Sequence, residues 1–197
     1  MRRPSEWALF GVTLATVAGF GRLFTEGFFW QLAAVSLVAH VTAGLCRTRG
    51  WGVGRAALVT AAVMVPTLSA TFFWAESVLG LPGPEVWGAA DTALSDAWAL
   101  FADVVAPAPP ATGFLLATAV ALALSAFLAD WAAFRLWSPY EALVPTATLF
   151  VFGALLGRSG HVAAAAAWLG AAALFLLLHR IEQLAGAAWV GDPSRAR

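Results

Sequence analysis

Charged residues are scarce in this sequence, and lysine is absent. The 197 residues include no lysine, and 11 arginines balance 11 acids, so the net charge is zero. A chain without a basic excess offers no face to phosphates, and nucleic acid is therefore not expected as a partner. The one cysteine, Cys46, excludes an internal disulfide and a metal site built from several cysteines. We expect no metal or cofactor.

Hydrophobic residues take the place of the missing charge. They make up 61% of the chain, against about 45–50% in a soluble domain. The hydrocarbon core of a bilayer is about 30 Å thick and needs about 17–25 mostly apolar residues per helix. Six stretches qualify, at about residues 7–24, 28–45, 56–75, 113–134, 141–157 and 162–178. We therefore predict an all-α integral membrane protein, a single bundle of about six transmembrane helices over residues 1–191.

The arginines predict the orientation of this bundle, because short loops rich in Lys or Arg stay in the cytoplasm. With the amino terminus inside, nine arginines fall on the cytoplasmic side, and only Arg22 and Arg158 fall outside. This predicts a multi-pass protein of the plasma membrane, embedded in the lipid bilayer, with both termini cytoplasmic. Residues 192–197 would be a cytoplasmic tail or a truncation point.

A long segment between the third and fourth predicted spans has a composition of its own. From Glu76 to Ala111 it has no basic residue. Large apolar residues recur at helical spacing, with acids opposite, which predicts an amphipathic extracytoplasmic helix at about residues 85–105. The apolar residues are Trp87, Leu94, Trp98, Phe101 and Val105, and the acids are Glu85, Asp96 and Asp103. We expect the apolar face to pack on the bundle. The acids form either a solvated outer face or a docking face for an extracytoplasmic partner.

Placing an ionisable side chain inside a membrane costs free energy, so each such residue is a candidate functional residue. His40 lies seven residues before Arg47, and Asp130 lies five before Arg135. Both are therefore expected within about 10 Å of the inner boundary, at one depth. With Arg135 and Glu141 they form a candidate intramembrane polar cluster. A hydrogen bond between His40 and Asp130 could be a structural clasp or part of a proton relay, or the groups could be hydrated separately.

A serine-protease centre is not expected, although Gly157 to Gly160 has the sequence G-x-S-G. Ser159 would lie in an outer loop and His40 toward the inner side, roughly 20 Å away on a core of about 30 Å. A general base must come within hydrogen-bond reach of its nucleophile. We therefore expect no catalytic residue in this chain.

Short motifs occur in a recognisable order over most of the chain. The most specific are Leu128–Arg135 (LADWAAFR), Pro139, Glu141–Pro145 (EALVP) and Phe150–Gly157; others are Gly21–Phe24, Leu81-Pro82, Asp96–Trp98, Asp103–Pro107 and Ala187–Gly191. In this order they resemble the amino-terminal membrane domain of actinobacterial transglutaminase-like membrane proteins.

The resemblance implies a non-catalytic membrane anchor or scaffold for a cell-surface transglutaminase-like domain. In that family the extracytoplasmic domain carries a Cys-His-Asp triad, and no position of this chain matches it. The implied partners are that domain, in cis or in trans, and a MoxR-type ATPase with its associated protein. Two other functions remain open. One is a small transporter or lipid-handling protein that uses the interior around His40 and Asp130, and the other is an assembly subunit that docks a partner on its acidic outer helix.

Overall fold

Helices make up the regular structure of the described chain. The computed structural model describes residues 3–101, 103, 105–157 and 160–188. The helices of this part are α1 (Pro4–Gly19) with a 3₁₀ turn (Phe20–Arg22), α2 (Phe29–Thr48), α3 (Val53–Phe72), α4 (Pro84–Leu100), α5 (Thr112–Phe134), α6 (Pro139–Leu156) and α7 (His161–Ala188). The all-α fold class is therefore confirmed for these residues.

Five of the described helices are long and apolar enough to cross a membrane. They are α2, α3, α5, α6 and the Val162–Ala185 part of α7. These helices fit the membrane protein expected from composition. Helix α1 is shorter, at 16 residues, so the count of six spans stays a prediction.

The observed helices differ most from the predicted spans at their polar ends. Helix α1 ends at Gly19, and a 3₁₀ turn continues the chain to Arg22. Helix α7 runs on past the predicted end at residue 178 to Ala188. Hydropathy marks where a helix leaves the hydrocarbon, whereas polar residues of good helix propensity keep the same helix going in water. Helix α6 runs unbroken through Pro145.

Two apolar clusters fill the bundle, one toward each end. The first joins α2, α3 and α5 to the aromatic residues that follow α1, among them Phe20, Phe24 and Phe28. The second joins α1, α5, α6 and α7 around Trp168 and Phe175. The indole Nε1 of Trp168 donates a 3.1 Å hydrogen bond to the Thr16 hydroxyl. This bond explains how a tryptophan is accommodated deep inside a span.

Glycines allow close contact between the α6 end of the bundle and the residues that follow α1. A Cβ on Gly153 would lie 3.1 Å from the Phe20 ring, and one on Gly157 would lie 2.7 Å from the Arg22 Cβ. Around Gly11 and Gly170 no described atom lies within 4 Å of such a Cβ. These two glycines therefore make no such close helix contact.

The closest helix contact is made by Gly113, at the start of α5. A Cβ there would lie 2.0 Å from the Ala93 carbonyl oxygen and 2.8 Å from the Ala97 Cβ. The backbone of α4 thus lies directly against α5, which only a pair of small-residue surfaces permits. Glycine at position 113 fixes where α4 is attached.

The face of α4 that packs on the bundle is not the predicted one. Val86 and Ala97 are buried, whereas Trp87 is 59% exposed and Trp98 80% exposed. Leu94, Phe101 and Val105 are exposed too. The prediction that these five large residues pack on the bundle is wrong. The reason is the close approach at Gly113, which admits the small-residue edge of α4 and leaves no room for indole rings.

Candidate functional site

Three charged side chains meet at the end of the bundle where α1 begins and α2 and α5 end. Arg47 Nη2 donates to Glu6 Oε1 at 2.6 Å, and Arg47 Nε donates to Asp130 Oδ1 at 3.3 Å. Glu6 is 4% exposed and Asp130 is 5% exposed, so both carboxylates are withdrawn from solvent. We call Glu6, Arg47 and Asp130 the ion triad.

Each member of the ion triad is placed by the end of a helix. Glu6 lies in the first turn of α1 and Arg47 in the last turn of α2, the positions that a helix dipole favours for an acid and a base. Asp130 lies near the carboxyl end of α5, where the dipole disfavours a carboxylate, and Arg47 offsets this cost. The Arg47 guanidinium also lies 4.5 Å from the centre of the Phe134 ring.

His40 lines the same space as the ion triad but has a partner of its own. Its Nε2 forms a 2.9 Å hydrogen bond with the Thr13 hydroxyl, and its ring meets Phe10 edge-on at 5.7 Å. His40, Arg47 and Asp130 border one small space, as the equal-depth argument predicts. The predicted direct hydrogen bond between His40 and Asp130 is wrong, because Arg47 is long enough to reach the carboxylate first.

The other two predicted members of the cluster lie elsewhere. The Arg135 guanidinium donates to the Trp51 carbonyl and so ties the end of α5 to the loop between α2 and α3. Glu141 is exposed on the first turn of α6. The observed cluster therefore keeps His40 and Asp130, loses Arg135 and Glu141, and gains Glu6, Arg47 and Thr13.

A second polar link at this end of the bundle joins the first and last described helices. The Ser5 amide and hydroxyl donate to the two Glu182 carboxylate oxygens, at 3.0 and 2.6 Å. One turn before Glu182, His179 is buried against the rings of Phe134 and Phe175. Helices α1, α2, α5 and α7 are thus all joined by polar contacts at the same end.

The three acids of the candidate docking face are all exposed. Glu85 and Asp96 lie on α4, and Asp103 follows it. At 100° per residue, Glu85 and Asp96 fall about a quarter turn from the packed edge of Val86 and Ala97. The exposed tryptophans lie about a quarter turn to the other side. Helix α4 therefore has a packed edge with an acidic face and an aromatic face on either side of it.

A groove of about 970 Å³ runs between α3, α4 and α5. Its lining extends along α3 from Ala57 to Phe73 and along α5 from Leu116 to Leu128. Trp87, Asp91 and others from the aromatic side of α4 border one end of it. The sequence did not predict this groove, because the spacing between helices is a tertiary property.

Within the described residues, no three His, Cys, Asp or Glu side chains are grouped so that they could hold a metal ion. His161 begins α7 and His179 lies 18 residues further along the same helix, about 27 Å away at 1.5 Å per residue. Several residues used in the sequence predictions fall outside the described residues: Arg2, Val104, Arg158, Ser159, residues 189–191 of the last resembling motif, and the tail at residues 192–197.

Comparison of the chain with family models, curated proteins and solved structures gave no match. The described residues define an all-α protein, and five of its helices are long and apolar enough to cross a membrane.

Proposed function

We propose that this chain is a non-catalytic membrane anchor of six spans that presents α4 outside the plasma membrane as the seat of a transglutaminase-like domain. The observation that carries the proposal is the attachment of α4. Its small-residue edge is fixed to α5 at Gly113, and its acids remain exposed. A helix held in this way offers a rigid charged surface to a partner.

The sixth span is α1 together with the 3₁₀ turn that follows it. Sixteen α-helical residues rise about 24 Å, and three 3₁₀ residues add about 6 Å, which together match a hydrocarbon core of about 30 Å. The arginine distribution supports an orientation with the ion triad at the cytoplasmic boundary, α4 outside and both termini in the cytoplasm.

The outer helix is amphipathic in a way that suits the membrane surface. Trp87 and Trp98 are exposed on one side of α4, and indole rings favour the headgroup level. Glu85 and Asp96 lie on the opposite side, in water. The aromatic face would rest on the bilayer beside the bundle, and the acidic face would meet the extracytoplasmic domain.

The buried charges favour a structural role over transport or catalysis. Arg47 engages both Glu6 and Asp130, and His40 engages Thr13, so each of these groups already has a partner. Charges that line a transport route must exchange partners with a substrate or with water. The ion triad instead joins three helices where the bundle leaves the membrane.

Site-specific photo-crosslinking from α4 in living cells tests this function. A photoreactive amino acid at Asp96 should form an adduct with a transglutaminase-like domain. The matched control is Leu94, which is exposed on the opposite side of the same helix, and we expect it to crosslink to lipid. Equal adducts from both positions, or none from Asp96, would contradict the proposal. An adduct between Asp96 and the protein associated with the MoxR-type ATPase would favour the assembly-subunit alternative.

A further inference from the structure

The groove between α3, α4 and α5 is mostly apolar, but a few polar side chains also line it. Among the described residues, the Ser69 hydroxyl has no hydrogen-bond partner, although Ser69 is only 2% exposed. Ser69 lines the groove, and so does the exposed carboxylate of Asp91 on α4. No basic side chain is among the residues that line it.

Of the polar side chains that line the groove, Ser69 and Asp91 lie at depths that match the ester and headgroup region of a lipid, whereas Thr60, whose buried hydroxyl also has no hydrogen-bond partner among the described residues, lies deeper. Ser69 is three residues before the end of α3 at Phe72, so it lies about 5 Å below the outer end of that helix. The ester groups lie at the hydrocarbon boundary, a few ångströms from a side chain at this depth. Asp91 lies on the outer helix, at the level of the headgroups.

The size of the groove fits the chains of such a lipid. From Ala57 to Phe73 its lining covers about 24 Å of α3, which exceeds the roughly 15 Å of one leaflet. The volume of about 970 Å³ is at the upper end of the range for small-molecule sites, about 300–1,000 Å³. Leu124, 58% exposed, marks the side on which the groove opens to the surrounding membrane.

Apolar contact alone cannot select an occupant inside a bilayer, because lipid tails are as apolar as leucine. Selection must come from the polar groups. Asp91 attracts a cation and repels an anionic headgroup, and the lining residues supply no base to reverse this preference. The hydroxyl proton of Ser69 rotates about the Cβ–Oγ bond, so this hydroxyl can donate a hydrogen bond to an ester carbonyl.

We propose that this groove binds a phospholipid with a primary-amine headgroup, phosphatidylethanolamine. Its ammonium group contacts Asp91, an ester carbonyl accepts a hydrogen bond from Ser69, and its chains lie between α3 and α5. This site is separate from His40 and the ion triad. The inference goes beyond the anchor function, and its test in detergent does not depend on which way the bundle faces.

Native mass spectrometry of the detergent-solubilised protein tests the site by counting bound lipids. Phosphatidylethanolamine and phosphatidylglycerol with identical chains are titrated side by side. We expect phosphatidylethanolamine to bind about fivefold more tightly than phosphatidylglycerol. This ratio corresponds to the free energy of one favourable polar contact. Asp91→Asn should abolish this preference. Ser69→Ala should weaken both lipids about fivefold, because they share the ester group.

Matched variants separate the site from general effects. Thr60 also lines the groove but lies nine residues deeper on α3, about 14 Å from Ser69, so Thr60→Val should leave both affinities unchanged. Glu76→Gln removes an exposed acid that is not among the lining residues and should keep the preference. Ala117→Trp should fill the groove and prevent binding of either lipid.

Three results would overturn the proposal. The first is equal binding of the two lipids to the unmodified protein. The second is an unchanged preference in Asp91→Asn. The third is a lipid-free dimer that Ala117→Trp converts to a monomer, because a second copy of the chain would then occupy the groove. Ser69→Ala should not lower thermal stability, since it removes a buried hydroxyl without a partner.

Discussion

Removing the central base of the ion triad should destabilise the bundle more than removing any other arginine at that end. Arg47→Met keeps much of the length of the side chain and deletes the charge that Glu6 and Asp130 share. Both carboxylates, at 4% and 5% exposure, would then stay buried without the cation that they share. Single substitutions of the acids, Glu6→Gln or Asp130→Asn, leave Arg47 with its other partner and should cost much less.

The magnitude follows from what remains buried after each substitution. Breaking a buried ion pair from one side costs about 3–5 kcal/mol in soluble proteins. Polar pairs within membranes average only about 0.6 kcal/mol, because the unfolded state in the membrane also finds partners. The ion triad lies at the edge of the bundle, and the Arg47 side chain is 14% exposed, so water can reach the site. We expect about 2–3 kcal/mol for Arg47→Met and about 1 kcal/mol or less for Asp130→Asn.

Reversible unfolding of the protein in mixed micelles, followed by tryptophan fluorescence, measures these changes. Arg55→Met is the matched control, because Arg55 is exposed and lies 5.1 Å from the centre of the Trp51 ring. A triple variant that neutralises Arg47, Glu6 and Asp130 together should recover most of the lost stability. Equal effects of Arg47→Met and Arg55→Met would refute the argument. So would a triple variant as unstable as Arg47→Met.

Two further predictions concern single contacts. Gly113→Ala should detach α4 from α5, because the new Cβ would lie 2.0 Å from the Ala93 carbonyl oxygen. Amide hydrogen exchange over residues 84–100 should accelerate by the factor that corresponds to a destabilisation of about 1–3 kcal/mol. Gly88→Ala, with no described atom within 4 Å of its new Cβ, should leave exchange unchanged or slower, and equal acceleration in both would count against the contact. A double-mutant cycle of His40→Leu and Thr13→Val should give a coupling free energy of about 0.6 kcal/mol, and a value near zero would mean that their 2.9 Å hydrogen bond adds nothing.

The helices could be predicted from the sequence because membrane thickness sets their length. Hydropathy located α2, α3, α5 and α6 to within a few residues of their observed ends. It failed at the end of α7, where polar residues continue the helix to Ala188 and the Glu182 carboxylate accepts two hydrogen bonds from Ser5. These hydrogen bonds join two helices that are far apart in the sequence, so no local sequence pattern predicts them.

The candidate site was predicted only in part, for a related reason. Equal depth correctly brought His40 and Asp130 to one space. The sequence pattern used Arg47 only as a marker of orientation and depth, and it gave no sign of Glu6, which lies just before the first predicted span. Matching the depth of Arg47 to that of the two acids would have found the ion triad, because a base near buried carboxylates pairs with them. The face of α4 that packs inward depends on Gly113. Because glycine has no side chain, it does not contribute to the hydrophobic pattern, and the packed face could not be predicted from that pattern.

Labelling with a membrane-impermeant maleimide tests the central claim, a membrane anchor with α4 outside. The background variant is Cys46→Ala, which removes the one natural cysteine. Ser95→Cys lies on α4, and Gly52→Cys lies in the loop between α2 and α3 at the opposite end of the bundle; both positions are exposed. We predict that Ser95→Cys is labelled in intact cells, whereas Gly52→Cys is labelled only after the cells are permeabilised. Labelling of Gly52→Cys but not of Ser95→Cys in intact cells would contradict the account.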